Sequence, residues 1–247
     1  MPAHDWTRLG DGPFHSVHSL WIGELCKRLN AGLLSDDYEA TSERVFRKRG
    51  PDLRIESEPE PAPGGGIVLA KEPQTETAVR LSATPVAAYV RKQRQLIVRR
   101  AGGGELVAVV EFVSRGNKSS RKRLGDFLGK IVGLAADGCH LGIIDLHPCG
   151  RLDAGGIVAA AWEECLGSPP PGDVPDESWP GGGRSVASWK AAAMHELFAD
   201  PVRVGQRIPD LPLFLSESAY VPLPLEETYM EAILVLPRSE RRELGAE

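Results

Sequence analysis

The stretch ELVAVVEFVSRGNKSSRKRLGDFLGKIVGLAADGCHLGIIDL, residues 105–146, decides the fold of this chain. Residues 106–113 form an apolar run that only Glu111 interrupts, which is the pattern of a strand buried on both faces. From Leu124 onward apolar residues recur at helical spacing until Gly138, and residues 140–146 form a second strand-length apolar run. The stretch therefore predicts a strand, a helix and a second strand.

This strand–helix–strand unit also predicts where a ligand would bind. Such a crossover makes the two strands parallel, so Glu111 and Asp145 should lie toward the same edge of the sheet. Ligands of open α/β sheets bind at that carboxyl edge. Burying an ionised carboxylate without a partner is costly. Either a nearby group neutralises Glu111, or Glu111 lies where the strand end opens to solvent and ligand.

The segments before this unit predict a helix followed by antiparallel strands. Residues 15–34 have apolar residues at helical spacing, with Asn30 and Gly32 as stop signals. Three segments have the features of strands: PDLRIES (51–57), TAVRLSA (77–83) and RQLIVRR (94–100). A loop is expected at EPEPAPGGG (58–66), and a hairpin turn at AGGGE (101–105).

The segments after residue 150 are less regular. We expect a helix at 156–167, a linker or long loop at 168–183, and either an Ala-rich helix or strands at 188–205, with a strand favoured in the second half. Residues 208–237 contain too many prolines for regular structure before Glu226, and predict an extended arm that packs across the core and ends in a short helix.

Together these segments predict an α/β protein with a mixed sheet and flanking helices. Residues 1–150 would form the core, and residues 151–247 would form a C-terminal extension that packs on it as part of a single domain overall.

Composition limits the classes of function. A formal charge of −5 gives no global basic field, so a general nucleic-acid coat protein is not indicated. No apolar run approaches the roughly 18 residues of a membrane span, and the start of the chain lacks the features of a signal peptide. A cytoplasmic protein without a membrane partner is expected; the oligomeric state is not predicted.

The cysteines, none in a CxxC pair, should be reduced: Cys26, Cys139, Cys149 and Cys165.

Several stretches carry a family resemblance. They are, in order, HDWTR (4–8), VVEFVSRGNK (109–118), GCHLGIIDL (138–146), WEE (162–164), IPDLPLFL (208–215) and YVPLPLEETY (220–229). As an ordered set they resemble the signatures of a bacterial family known only as a domain of unknown function. That family is similar in its middle section to the Uma-type branch of the restriction-endonuclease-like, or PD-(D/E)XK, superfamily. The resemblance implies a restriction-endonuclease-like core.

The resemblance also implies a set of site residues. In the superfamily a PD strand, a strand reading E-x-x-S and a helix lysine surround a divalent metal. These features correspond to Asp52, Glu111 and either Lys118 or Lys130, and Glu43 is a further metal ligand that such sites often include.

The chain departs from the superfamily pattern at one position, since the usual E-x-K spacing would place a lysine where this chain has Val113. A lysine must then come from elsewhere. At 100° per residue Lys130 lies on the flank of the helix's apolar stripe, from which a long side chain can reach the sheet edge. Lys118, in the turn directly after the strand, is the rival.

The residue types suit hydrolysis of a phosphodiester with Mg²⁺, for which Mn²⁺ can substitute. That reaction needs carboxylate ligands and a cation that orients the attacking water or stabilises the developing charge. The sequence thus indicates a Mg²⁺-dependent nuclease or nuclease-like phosphodiesterase. The alternative is a non-catalytic binding module that keeps the fold, in which Glu111 is a structural carboxylate bonded to a nearby cation.

A cationic segment follows the glutamate strand. Its members are Arg115, Lys118, Arg121, Lys122 and Arg123. They could form a rim that binds the phosphates of a nucleic acid, or simply a solvated turn. By contrast, the spacing of His4, His15 and His18 is unlike that of a helical zinc pair, so these are expected to be surface or packing residues.

Overall fold

The computed structural model describes residues 3–47, 53–56, 95–168 and 183–246. Asp52, the strand expected at 77–83, the loop at 58–66 and most of the loop at 168–183 lie outside the described residues.

The described residues form helices and strands whose bounds are as follows. The helices are α1 (Asp11–Arg28), α2 (Arg115–Lys118), α3 (Arg121–Ala136), α4 (Gly156–Leu166), α5 (Leu225–Ile233) and α6 (Arg238–Leu244). The strands are β1 (Tyr38–Arg47), β2 (Leu53–Glu56), β3 (Gln95–Arg100), β4 (Leu106–Phe112), β5 (His140–Asp145), β6 (Ser185–Lys190), β7 (Glu196–Pro201), β8 (Leu211–Phe214) and β9 (Tyr220–Leu223).

The main sheet is mixed, as predicted. Its hydrogen-bonded order in the described residues is β2-β1-β3-β4-β5-β6-β7, in which β2 pairs with the outer half of β1. The β4–β5 pair is parallel, and the other described pairs of this sheet are antiparallel. The expected helix before the sheet and the hairpin between β3 and β4 are both present. The α/β class predicted from the sequence is confirmed.

The central strand–helix–strand unit has the predicted form. Helix α3 begins after Ser120, whose hydroxyl accepts a hydrogen bond from the amide of Arg123, and Gly138, with φ of +78°, ends the segment. The left-handed backbone at that position favours glycine. In the parallel ladder Glu111 lies beside Ile143, so Glu111 and Asp145 are both near the carboxyl edge of the sheet.

Two hydrophobic cores cover the two faces of the sheet. One core contains residues of α1, α5 and the β8–β9 hairpin, and the other contains residues of α3 and α4. Side chains from Val109 in β4 to Val113 just after it alternate between them, with Val110 and Phe112 in the first core and Val109 and Val113 in the second. This alternation places Glu111 on the α3 face of the sheet.

The C-terminal region has more regular structure than the sequence suggested. The strand expected in the second half of 188–205 is confirmed as β7, and β6 and β7 extend the main sheet. The short helix α5 is confirmed as well.

The expectation that no regular structure precedes Glu226 is wrong, because β8 and β9 form a hairpin. Pro212 lies opposite Pro222, and neither has an N–H to donate, so the hairpin's hydrogen bonds fall to the other residue pairs.

None of the described helices combines the length and the apolar character needed to cross a membrane.

Candidate functional site

Three neighbouring strands carry polar side chains at adjacent positions on the α3 face of the sheet. Glu43 of β1 is paired with Gln95 of β3. In the antiparallel β3–β4 ladder Leu96 is paired with Val110, so the next residues on the two strands, Gln95 and Glu111, lie side by side. Neighbouring strands lie about 4.8 Å apart, so the Cα atoms of the three residues span roughly 10 Å. We call Glu43, Gln95 and Glu111 the polar row.

Lys130 provides the cation at one end of this row. Its Nζ donates a hydrogen bond to Glu111 Oε2 at 2.7 Å. The Glu111 side chain is 3% exposed, whereas that of Lys130 is 24% exposed. The apolar stripe of α3 seats the helix on the sheet, and the lysine reaches the glutamate from the flank of that stripe. Glu111 therefore has a cationic partner and also lies near the sheet edge.

Arg99 provides the cation at the other end of the row. Its Nη2 lies 3.8 Å from Glu43 Oε2, and its Nη1 donates to the carbonyl of Gly104 at 3.2 Å. The second carboxylate oxygen of Glu43 accepts a hydrogen bond from the Thr41 hydroxyl at 2.8 Å. Both ionic side chains are largely buried, at 12% and 13% exposure. The polar row thus has a cation beside each of its carboxylates.

Several buried polar atoms of this site have no hydrogen-bond partner within the described part of the chain. They are Glu43 Oε2, Gln95 Oε1, Glu111 Oε1 and Arg99 Nη2. Buried polar groups in native proteins are nearly always hydrogen-bonded, so a group of such atoms on one sheet face calls for an explanation. The three oxygens can bind a cation, and the guanidinium nitrogen can bind an anion.

Lys118 is directed to a different set of partners. Its Nζ lies 2.5 Å from Asp145 Oδ2 and 2.8 Å from Asp153 Oδ2, and it contacts the carbonyls of His147 and Pro148 at 3.4 Å each. Its side chain is 8% exposed, and those of both aspartates are fully buried. We call Lys118, Asp145 and Asp153 the Lys118 cluster. The structure separates the two candidate lysines, and Lys130 is the one beside Glu111.

The aspartates of the Lys118 cluster have a second role. Asp145 Oδ1 accepts a hydrogen bond from the amide of His147, and Asp153 Oδ1 accepts one from the amide of Gly150. Burial lowers the pKa of Lys118, but the adjacent carboxylates outweigh burial and hold that pKa above its ordinary value. The cluster therefore ties α2 to the loop that follows β5.

The other candidate residues are spread around the site. Val113, at the usual lysine position, is fully buried in the core under α3. Arg115 donates to the carbonyl of Trp6, whereas the remaining cations of that segment are exposed: Arg121, Lys122 and Arg123. Asp52 lies outside the described residues, so its place relative to the polar row is not described.

The histidines and cysteines have the structural roles expected of them. His4 is buried and bonded to the Tyr229 hydroxyl, and His18 packs on Phe112 with ring centroids 5.0 Å apart. His15 contacts His18 at 6.1 Å between centroids. None of the four cysteines, all of which lie within the described residues, forms a disulfide.

The polar row offers hard oxygen ligands of the kind that Mg²⁺ binds. Among the described residues no group of three or more His, Cys, Asp or Glu side chains is placed to hold a metal ion. The row instead combines two carboxylates with the amide oxygen of Gln95, and each of these residues has an oxygen without a hydrogen-bond partner in the described ranges of the chain. The oxygen donors of these residues are of the type that binds a divalent cation.

Sequence reasoning missed Gln95 and Arg99. The alternation of RQLIVRR places both on the same strand face as the buried Ile97, so this signal was available. A glutamine and an arginine in a strand do not by themselves indicate a site, however.

Comparison with known proteins adds no family to this description. No family model, no curated protein and no solved structure matches the chain. Its function is therefore inferred from the side chains of the site.

Proposed function

We propose that this chain is a Mg²⁺-dependent nuclease or nuclease-like phosphodiesterase whose site is the polar row together with Lys130. One observation carries the proposal: Glu111 is almost fully buried, one of its oxygens contacts Lys130 at 2.7 Å, and the other has no partner among the described residues. A purely structural carboxylate would be expected to use both oxygens.

A restriction-endonuclease-like core is part of the same proposal. The chain reads E-x-x-S from Glu111 in β4 to Ser114, and helix α3, which comes after the short helix α2, supplies the lysine that contacts Glu111. The sequence resemblance implies this succession of glutamate strand and lysine helix. The lysine on α3 also accounts for the valine at the usual lysine position.

The residues would divide the chemistry between them. Glu43, Gln95 and Glu111 would hold the metal, and Asp52 stays a proposed ligand outside the described residues. Mg²⁺ bound there would neutralise charge on the phosphate and activate a water molecule. In the reaction the water oxygen attacks phosphorus, the bond to the leaving oxygen breaks, and that oxygen gains a proton, so a phosphodiester and water give a phosphomonoester and an alcohol.

Lys130 would act on the phosphate rather than on the metal. Among the described residues its ammonium has one carboxylate partner, Glu111, and its side chain is partly exposed. Once that carboxylate is otherwise neutralised, Nζ is free to donate to a phosphate oxygen. Negative charge on that oxygen grows in the transition state, so this contact favours turnover more than binding.

The alternative is a non-catalytic binding module. The observation that favours it is that each carboxylate of the polar row already has a cation, Lys130 for Glu111 and Arg99 for Glu43. In that case the ion pairs are structural, and the protein binds a partner through this fold without cleaving it.

Metal-dependent melting tests the proposal. Millimolar Mg²⁺ or Mn²⁺ should raise the melting temperature of the wild type by mass action, and Glu111→Gln should abolish that rise. Glu105→Gln is the matched control, because Glu105 precedes the same strand but its side chain is 78% exposed. If the wild type shows no response to either metal and Glu111→Gln lowers its stability, Glu111 is a structural residue and the proposal fails.

Nuclease assays then distinguish the enzyme from the binding module. Lys130→Met should keep the metal-induced rise in melting temperature and lower the cleavage rate by on the order of 100-fold. Single-stranded, double-stranded and branched substrates should be tested with each metal, with Asp52→Asn as the control for contaminating nucleases. Cleavage that persists unchanged in Asp52→Asn, or no cleavage of any substrate, would support the binding module.

A further inference from the structure

Arg99 occupies an unusual position at the Glu43 end of the polar row. Its guanidinium is largely buried, with 12% of the side chain exposed, yet the nearest Glu43 oxygen is 3.8 Å away. Charge-assisted hydrogen bonds of this kind normally measure about 2.7–2.9 Å between nitrogen and oxygen. The Nη2 atom also has no hydrogen-bond partner within the described residues. Arg99 is thus anchored through Nη1 on Gly104, whereas Nη2 has no hydrogen bond to any part of the chain that the structure describes.

Only one of the two oxygens of Glu43 is satisfied without Arg99. Thr41 donates to Oε1 at 2.8 Å, and Oε2 is left facing Arg99 at the longer distance. A desolvated guanidinium with so loose a partner is costly in a core. A ligand that binds Nη2 directly would remove this cost.

We propose that Arg99 is the phosphate-binding residue of this site, and that it holds a phosphate of the nucleic-acid substrate opposite Lys130. This inference rests on the proposed function. The guanidinium fork matches the geometry of phosphate oxygens, and two of its N–H groups can bind them together. In the absence of ligand, Glu43 is the neighbour that Arg99 faces.

The unpartnered oxygens of the row narrow the ligand class. Gln95 Oε1, Glu43 Oε2 and Glu111 Oε1 are acceptors, so they would repel a bare anion close to them. A phosphate accompanied by a divalent cation satisfies both sets of atoms, since the cation takes the acceptor oxygens and Arg99 takes the phosphate. The expected ligand is therefore a phosphate ester with its metal ion rather than a carboxylate alone.

A buried thiol is affected by both ends of the row. The pKa of Cys139 is raised to about 12, first by burial and then by the carboxylates of Glu111 and Asp137, and the Arg99 guanidinium partly offsets this rise. Cys139 lies in the core under α3. Arg99 and Glu111 thus act on one buried group from the same face of the sheet.

Calorimetric titration with inorganic phosphate at saturating Mg²⁺ tests the inference. Arg99→Met should weaken phosphate binding by about tenfold or more, the usual consequence of losing a charge-assisted hydrogen bond. Arg99→Lys should bind with intermediate affinity, because it keeps the charge but not the fork. Arg100→Met is the matched control: Arg100 is next on β3, its side chain is 55% exposed, and its loss should leave phosphate binding unchanged.

A second variant tests the same contact in the opposite direction. In metal-free buffer Glu43→Gln removes the carboxylate that faces Arg99, so phosphate affinity should rise several-fold over the wild type. If Arg99→Met does not fold, this measurement decides alone. Phosphate affinity that is unchanged in Glu43→Gln, or unchanged in a folded Arg99→Met, would overturn the inference.

The two proposals fail in different ways. A wild type whose melting temperature does not respond to metal contradicts the proposed function, whatever Arg99 does. A wild type that responds to Mg²⁺, and whose Arg99→Met variant keeps both the metal response and full phosphate affinity, contradicts only the role of Arg99.

Discussion

Two lysines of the same chain segment form ion pairs with very different surroundings. Lys118 lies between two fully buried aspartates and also contacts two backbone carbonyls, and its side chain is 8% exposed. Lys130 contacts the single carboxylate of Glu111 and is 24% exposed. Both lysines lie between β4 and β5, and the sequence offered each of them as the lysine of the candidate site.

The difference between them shows how a structural ion pair can be told from a candidate site. An ammonium has three N–H donors, and Lys118 has four oxygen atoms around it, so nothing is left over for a ligand. Within the described residues Lys130 has two donors beyond its bond to Glu111, whereas buried oxygens without a hydrogen-bond partner occur beside both lysines. The spare donors of the Lys130 ammonium, which Lys118 lacks, make Lys130 the better candidate for binding a ligand.

The largest expected loss of stability comes from removing the cation of the Lys118 cluster. Lys118→Met would leave Asp145 and Asp153 buried without their cation, and should lower the free energy of unfolding by about 3–5 kcal/mol. Lys130→Met should cost clearly less, because its partly exposed position lets water reach the site. Urea unfolding of both variants measures the contrast. Equal losses would mean that the two ion pairs are equivalent and that the distinction drawn between them is wrong.

A second test uses the pH dependence of stability that His147, a neighbour of Lys118, should produce. His147 is almost fully buried, and burial together with the nearby cations Arg115, Lys118 and Arg184 lowers its pKa to about 3. Between this value and the unfolded value of about 6.5 the unfolded state binds more protons. The free energy of unfolding should therefore fall as the pH is lowered from about 7 to about 4.5.

The matched variant is His147→Phe, which keeps a ring against Phe14 but removes the titrating group. Its stability should depend less steeply on pH over the same range. Asp145 acts in the opposite direction, since burial raises its pKa to about 6, but it is present in both proteins. Parallel pH profiles from urea unfolding would show that His147 does not stay neutral in the folded state.

The central part of the fold and half of the site could be predicted because their signals are local. The apolar runs and the helical stripe of residues 105–146 specify the β4–α3–β5 unit, and the position of Lys130 on the flank of that stripe follows from helix geometry. The choice between Lys118 and Lys130 could not be made. It depends on Asp153, which the loop after β5 brings to Lys118 from far along the chain.

The C-terminal hairpin shows a different limit. Leu211 and Leu213 alternate with prolines, as do Val221 and Leu223, and all of these apolar side chains enter the first core. The proline density hid a period of two that indicates strands. Proline disfavours central strands, but a two-stranded hairpin tolerates it where no N–H is needed.

The smallest effect on stability is expected from the exposed cations that follow Lys118. Arg121, Lys122 and Arg123 occupy the first turn of α3, where positive charge opposes the helix dipole. Replacing all three by Gln should leave the free energy of unfolding unchanged or raise it slightly, by up to about 1 kcal/mol. Helix stability therefore does not explain their presence.

If these cations form the rim that binds a nucleic acid, their loss has a distinct signature. The slope of log affinity against log salt concentration should become shallower by about 2–3, because each lost phosphate contact contributes roughly 0.7–0.9. Fluorescence anisotropy with a labelled oligonucleotide at several salt concentrations measures this slope. The control is the double variant Arg203→Gln/Arg238→Gln, which removes two exposed cations, one after β7 and one on α6. An unchanged slope in the triple variant would identify a solvated turn, and would place the electrostatic contacts to substrate with Arg99 and Lys130 inside the site.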